Sequence, residues 1–209
     1  MSTRCTGSIG GGFGGRPVAA HAVSDLAIRW ALEGGVDSIE HGYGIRESTL
    51  KLMAEKKKTF LVLTEEDPRD TESIGMFEGV RKMWELPKPS AQQQAMWDAM
   101  AKSRIQKAFS LGVPVAFGSD SYVRRPGMTR GQASLSKLFA YTEAGVPAFQ
   151  ALQAATIRAA ELLGRAETLG SLRSGKVADL IAVEGDPTVD LRTLTQVRFV
   201  MKGGKPIGR

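Results

Sequence analysis

The sequence predicts an α/β fold built on a parallel sheet, and two observations predict it. From Arg16 onward, short apolar runs alternate with stretches of helical periodicity, the pattern of repeated strand–helix units. Three of those runs, Val18-Ala19-Ala20-His21-Ala22, Ser38-Ile39-Glu40-His41-Gly42 and Val115-Ala116-Phe117-Gly118-Ser119-Asp120, end in a side chain able to bind a metal. A continuous apolar run reads as a strand buried on both faces, and a ligand at its C-terminal end points into a site on one rim of such a sheet. The only two histidines of the 209-residue chain, His21 and His41, are both placed this way.

The elements follow in order. The first fifteen residues are polar and end Gly10-Gly11-Gly12-Phe13-Gly14-Gly15, without helical or strand periodicity, so they read as a flexible leader. They contain Gly10-x-Gly12-x-x-Gly15, but a dinucleotide fingerprint needs a strand before the glycines and a helix after them, and here a strand follows. The run at Val18 leads to a helix starting near Ser24 or Asp25 and stopped by Gly34-Gly35. A second run, Val36 to Ile39, leads to a helix from about Glu47 to Glu55, and a third, Thr59 to Leu63, is followed by an acidic, proline-containing stretch from Thr64 to Pro89. Ser90 then caps an amphipathic helix closed by Gly112, whose Met96, Trp97, Met100, Ile105 and Phe109 read as a core-packing stripe. The fourth run, Val113 to Gly118, precedes two helices, about Gln132 to Ala144 and Pro147 to Leu163. Val177 to Val183 and Val197 to Lys202 then read as a small separate sheet. The count is four strand–helix units and a β appendage, whereas a closed barrel of such units needs eight.

Composition narrows the function classes. The formal charge of +6 comes from scattered Lys and Arg, with Lys56-Lys57-Lys58 as the one run, which reads as a solvated helix end rather than a nucleic-acid surface. One cysteine, Cys5, rules out an intrachain disulfide and a Cys-rich zinc site. No apolar stretch approaches the roughly 18 residues of a membrane span, and the N-terminus lacks the apolar region of a signal peptide. The expectation is a soluble, cytoplasmic chain with no nucleic-acid or membrane partner, a secreted or periplasmic full-length parent being the alternative.

Two imidazoles and a carboxylate at strand ends make a plausible partial shell for a divalent metal, with open positions for water. A lone His in such a place is more often a satisfied core residue; two with an Asp shift the balance to function. Asp120 can ligate a metal or move a proton, its competing role being that of a loop or cap carboxylate. Glu40 precedes His41 by one residue, so strand alternation points it to the opposite face and gives it no metal role. Tyr43, Arg124, Arg125 and Arg130 lie in loops after strand ends, where a phenol or guanidinium could meet a substrate carboxylate.

These residues resemble the C-terminal part of the amidohydrolase superfamily, in particular its imidazolonepropionase-like and Xaa-Pro dipeptidase-like branch. Gly15-Arg16-Pro17-Val18-Ala19-Ala20-His21 through Gly35-Val36-Asp37-Ser38-Ile39-Glu40-His41-Gly42 looks like strands five and six of that barrel, and Gly118-Ser119-Asp120-Ser121 like its strand-eight motif. Ala151-Leu152-Gln153-Ala154-Ala155-Thr156, Gly175-Lys176-Val177-Ala178-Asp179-Leu180 and Gly185-Asp186-Pro187 continue the series. The resemblance implies the C-terminal half, about strands 5–8, of a TIM-like metal-dependent hydrolase barrel plus a partial β-sandwich, divided as leader 1–15, barrel portion 16–165 and sandwich portion 166–209. It implies His21 and His41 as metal ligands, Asp120 as ligand and proton shuttle, Tyr43 and Arg130 as weaker substrate-binding candidates, and a divalent metal, zinc by default with manganese, iron or cobalt as alternatives. The family's strand-one His-x-His and strand-four lysine have no counterpart here. Two readings follow: a metal-dependent hydrolase of amide C–N bonds in a small molecule or dipeptide, or an inactive fragment or half-subunit acting by association with itself or with an N-terminal-half partner.

Overall fold

The computed structural model describes residues 16–65, 90–121 and 127–208. Its centre is a four-stranded, wholly parallel sheet in the order β1 (Ala19–Ser24), β2 (Ser38–Gly44), β3 (Phe60–Leu63), β4 (Val115–Phe117). Parallel neighbours require crossovers. The first is α1 (Asp25–Gly34), capped by the Ser24 hydroxyl and ended by Gly35 in the left-handed region. The second is α2 (Glu47–Lys56), whose terminal Lys56 is exposed as a solvated helix end should be. Of the third connection, α3 (Ala91–Ser110) is described; Ser90 and Gln93 close it with a reciprocal capping box, satisfying two backbone donors at its start.

After β4 come α4 (Arg130–Glu143), opened by a second capping box from Thr129 and Gln132, then α5 (Ala148–Ala155) and α6 (Ile157–Leu162). The single helix expected from Pro147 to Leu163 is broken at Thr156, whose φ of −126° and ψ of −92° lie outside the helical region. Close to that break Gly170 runs at φ +84°, and a Cβ there would sit 2.8 Å from the Ile157 Cα, so no other residue fits without backbone movement.

Strands β2, β3 and β4 are largely buried on both faces, whereas β1 at the edge leaves Ala19, His21 and Val23 exposed. On one side Ala22, Ile39, Leu61, Leu63 and Val115 pack with Ile28, Leu50, Met53, Ile105 and Tyr141 of the helices. Tyr141 is fully buried and donates its hydroxyl to the Leu63 carbonyl at 3.0 Å, tying α4 beneath the end of β3. On the other side Phe60, Val62 and Ala116 meet Ala159 and Leu162. A second, antiparallel sheet, β5 (Leu180–Val183), β6 (Val197–Lys202) and β7 (Lys205–Pro206), forms the β appendage. It is joined to the first: Leu191 and Leu194, in the turn between β5 and β6, belong to the main core cluster.

One packing expectation is corrected. Met96, Trp97 and Met100 are 53%, 49% and 53% exposed, so the core stripe of α3 is confined to its C-terminal half, where Arg104, Ile105 and Ala108 are buried. The leader, with Cys5 and its glycine pattern, and residues 66–89 lie outside the described residues.

Candidate functional site

The C-terminal ends of the parallel strands gather the polar side chains. In register, His21 pairs with Glu40 and His41 pairs with Ala22, a helix-facing core residue. Strict alternation would therefore turn His41 away from His21. Instead His41 adopts φ +70° and Gly42 φ +67°, and the ring centroids of His21 and His41 come within 4.4 Å, edge to face. A non-glycine residue at positive φ is uncommon and costs energy, so its presence at a strand end suits a site that needs the ring there. Gly42 is required as well, because a Cβ on it would lie 2.8 Å from Leu61 Cδ1. Asp120, just beyond β4, is a second non-glycine residue at positive φ, at +46°.

The register also overturns the placing of Glu40 on the far face. Cross-strand partners share a face, so Glu40 lies on the His21 side of the sheet, where its carboxyl feels both Asp120 and His21. Burial pushes that carboxyl up, with Asp120 adding to the effect and Ser38, 2.5 Å away, opposing it. His41 is held below its ordinary value of 6.5, first by burial and then by the charge of His21, while Asp120 pulls the other way. At neutral pH the His41 ring is therefore uncharged, with a lone pair to offer.

Behind His41 stands a polar layer of which sequence reasoning named Tyr43 and missed Thr64, Glu65, Arg104 and Lys137. The His41 Nδ1 lies 2.9 Å from Thr64 Oγ1, and the Tyr43 hydroxyl lies 3.2 Å from the same oxygen. Arg104 of α3 stacks 5.3 Å from the Tyr43 ring centroid, donates to the Tyr43 carbonyl at 2.7 Å and forms a buried ion pair with Glu65. Burial pushes the Glu65 carboxyl up and the Arg104 guanidinium draws it back. Lys137 of α4 is buried close enough for its charge to act on His41 and Glu65. The signal for this layer was faint: two polar residues directly after a buried strand, and one arginine on the inward side of an amphipathic helix.

Of the substrate-binding candidates, Tyr43 lines the site beside His41 at a ring separation of 5.3 Å. Arg130 is the exposed first residue of α4 and makes no hydrogen bond or ion pair among the described residues. Arg124 and Arg125 lie outside the described residues.

The donor chemistry fits a divalent cation, since a close pair of imidazoles, one kept neutral by its surroundings, is a natural nitrogen half-shell. The number of donors falls short. Among the described residues no group of three or more His, Cys, Asp or Glu side chains is arranged to hold a metal ion, so Asp120 is not gathered with the imidazole pair.

Residues 13–207 match the sequence pattern of the Amidohydrolase family, which is nearly the whole chain. The protein belongs to that family. Ochratoxinase of Aspergillus niger is 33% identical over 195 residues, covering 91% of this chain and 38% of the fungal protein. Imidazolonepropionase of Shouchella clausii is 36% identical over 99 residues, 45% of this chain and 21% of that protein. Among solved structures, a Xaa-Pro dipeptidase with methionine bound in its active site superposes with TM-score 0.70 at 32% identity, over 92% of this chain and 45% of that one. The A. niger ochratoxinase crystal structure gives TM-score 0.67 at 28% identity, over 91% and 41%. This amidohydrolase chain thus spans less than half the length of each of these relatives. Among its described residues no helix is long and apolar enough to cross a membrane.

Proposed function

We propose that this amidohydrolase chain forms the C-terminal half of a (β/α) barrel, with β1 to β4 in the places of strands five to eight, and serves the hydrolysis of amide C–N bonds in a small molecule or dipeptide. The observation that carries the reading is the His21–His41 pair, brought together across adjacent strand ends by the left-handed backbone of His41. Those two imidazoles would hold a divalent metal, zinc by default, with Asp120 as the carboxylate nearest in role. When bound, such an ion lowers the pKa of water and polarises the amide carbonyl.

The chain's own residues do the rest. Burial keeps His41 neutral, so its lone pair is free at physiological pH. Asp120, whose charge reaches both His41 and Glu40, receives the proton of the attacking water and hands it to the leaving nitrogen. Tyr43, half-buried beside the pair, offers its ring and hydroxyl to the substrate. The names of the similar dipeptidase and ochratoxinase support a small amide substrate.

A second reading, a non-catalytic chain acting by association, draws on the shortfall in donors and on β1, an edge strand whose own Val23 is exposed. In that reading the chain pairs with itself or with an N-terminal-half partner through the open sheet edge. An assay of zinc-reconstituted chain on dipeptides and cyclic amides separates the two. Turnover that falls by about 10²–10⁴-fold in Asp120→Asn supports the hydrolase. Absent turnover in folded, reconstituted protein, or turnover indifferent to Asp120→Asn, overturns it.

A further inference from the structure

Two consecutive residues near the end of β2, His41 and Gly42, run in the left-handed region at φ +70° and +67°, and this turn carries the His41 ring to His21 instead of to the opposite face. A non-glycine residue stays in that region only where its surroundings hold it there. The hold just beyond the turn comes from α3. Arg104 Nη1 donates to the Tyr43 carbonyl at 2.7 Å, and the guanidinium lies over the Tyr43 ring, 5.3 Å from its centroid. Among the described residues, Arg104 is the side chain that bonds the backbone of residues 41–44, whereas Thr64 meets the His41 ring and the Tyr43 hydroxyl.

Arg104 is itself fixed. Its Nε donates to Glu65 Oε1 at 2.7 Å and its Nη2 to the same oxygen, with both side chains buried. A buried ion pair adds little net stability, because stripping water from two charges offsets their attraction. What this pair supplies is direction: Glu65, just past β3, orients a planar guanidinium so that it meets the Tyr43 carbonyl and ring together.

We propose that Arg104 is a positioning residue: oriented by Glu65, it holds the Tyr43 backbone and through it the left-handed turn that sets His41 against His21. Without that hold the turn relaxes to extended backbone, and strand alternation returns the His41 ring to the face of its register partner Ala22. The use of the paired rings in catalysis rests on the hydrolase reading; their placement by Arg104 does not.

The test reads the ring contact directly, as nuclear Overhauser effects between the imidazole protons of His21 and His41 in metal-free protein. With only two histidines in the chain, His21→Ala assigns the signals. Arg104→Met combined with Glu65→Leu removes both charges and leaves no buried ion unpaired. In the folded double variant the His21–His41 effects are expected to be lost, whereas Ile28→Val, a core change on α1, lowers stability and keeps them. Arg104→Lys retains a cation for Glu65 but lacks the planar group that meets carbonyl and ring together, so it loses the contact too and decides the matter should the double variant not fold. Ring contacts kept in the folded double variant, kept in Arg104→Lys where that variant decides, or lost equally in Ile28→Val overturn the proposal. Zinc uptake on the same samples keeps the two ideas apart. Ring contacts that depend on Arg104 in a wild type that takes up no zinc sustain the role of Arg104 and contradict the metal reading, and zinc uptake with contacts indifferent to Arg104 does the reverse.

Discussion

His21 and His41 meet edge to face at 4.4 Å although they are not register partners, since His41 lies opposite Ala22 and His21 opposite Glu40. The meeting depends on positive φ at His41, and it places the charge of His21 where it disfavours charging His41.

A pH dependence follows. The folded-state pKa of His41 lies below its ordinary value of 6.5, chiefly through burial and then through His21. Between the two values the unfolded chain binds more protons, so stability rises with pH across that window. The contribution is complete above the unfolded value and is lost as pH falls through about 6.5 toward the lowered folded value. Titration by NMR should show His41 below 6.5, and His21→Ala should raise it without restoring the ordinary value, because burial remains. A His41 titration unmoved by His21→Ala would contradict the arrangement.

Arg104 and Glu65 offer a double-mutant test. Both side chains are nearly fully buried, so removing one leaves the other an uncompensated charge. Arg104→Met or Glu65→Leu alone should cost about 3–5 kcal/mol in denaturant unfolding, while the double variant recovers much of that loss. Additive losses would show that the pair does not act as a unit.

In the core, Ile28 of α1 is fully buried against the sheet, whereas Trp30 on the same helix is 63% exposed. Ile28→Ala should lose about 2–5 kcal/mol of stability. Trp30→Ser should change it by about 0.5 kcal/mol or less. Equal effects would mean that α1 presents a different face.

Gly170 and Gly112 separate backbone strain from crowding. Both run at positive φ, but a Cβ at Gly112 meets open space and one at Gly170 meets the backbone of Thr156 and Ile157. Gly112→Ala should cost about 1 kcal/mol, and Gly170→Ala clearly more, read as the difference in melting temperature.

Much of this was legible in the sequence for identifiable reasons. Ser24, Gly35 and Ser90 mark helix ends through local hydrogen bonding and the left-handed turn, interactions that need no distant partner. Strands β3 and β4 were legible because burial leaves an uninterrupted apolar run, and β1 and β2 because short apolar runs precede their histidines. What failed depended on the third dimension. Helical periodicity gave α3 an apolar stripe but could not say that Met96, Trp97 and Met100 would remain uncovered. Alternation misplaced Glu40 because it presumes a regular strand, and His41 leaves the β region. The Glu65–Arg104 pair spans 39 residues and joins a strand end to a helix, a juxtaposition no local pattern encodes. At Thr156 neither Gly nor Pro announces the break between α5 and α6.

The most direct test of the account is the metal content of the purified chain after reconstitution with zinc, by elemental mass spectrometry, in wild type and in the His21→Ala, His41→Ala double variant. The account predicts about one ion per wild-type chain, held by the two imidazoles with its remaining positions open to water, and none in the variant. Folded wild-type protein that retains no stoichiometric metal, or a double variant that retains as much, would contradict it.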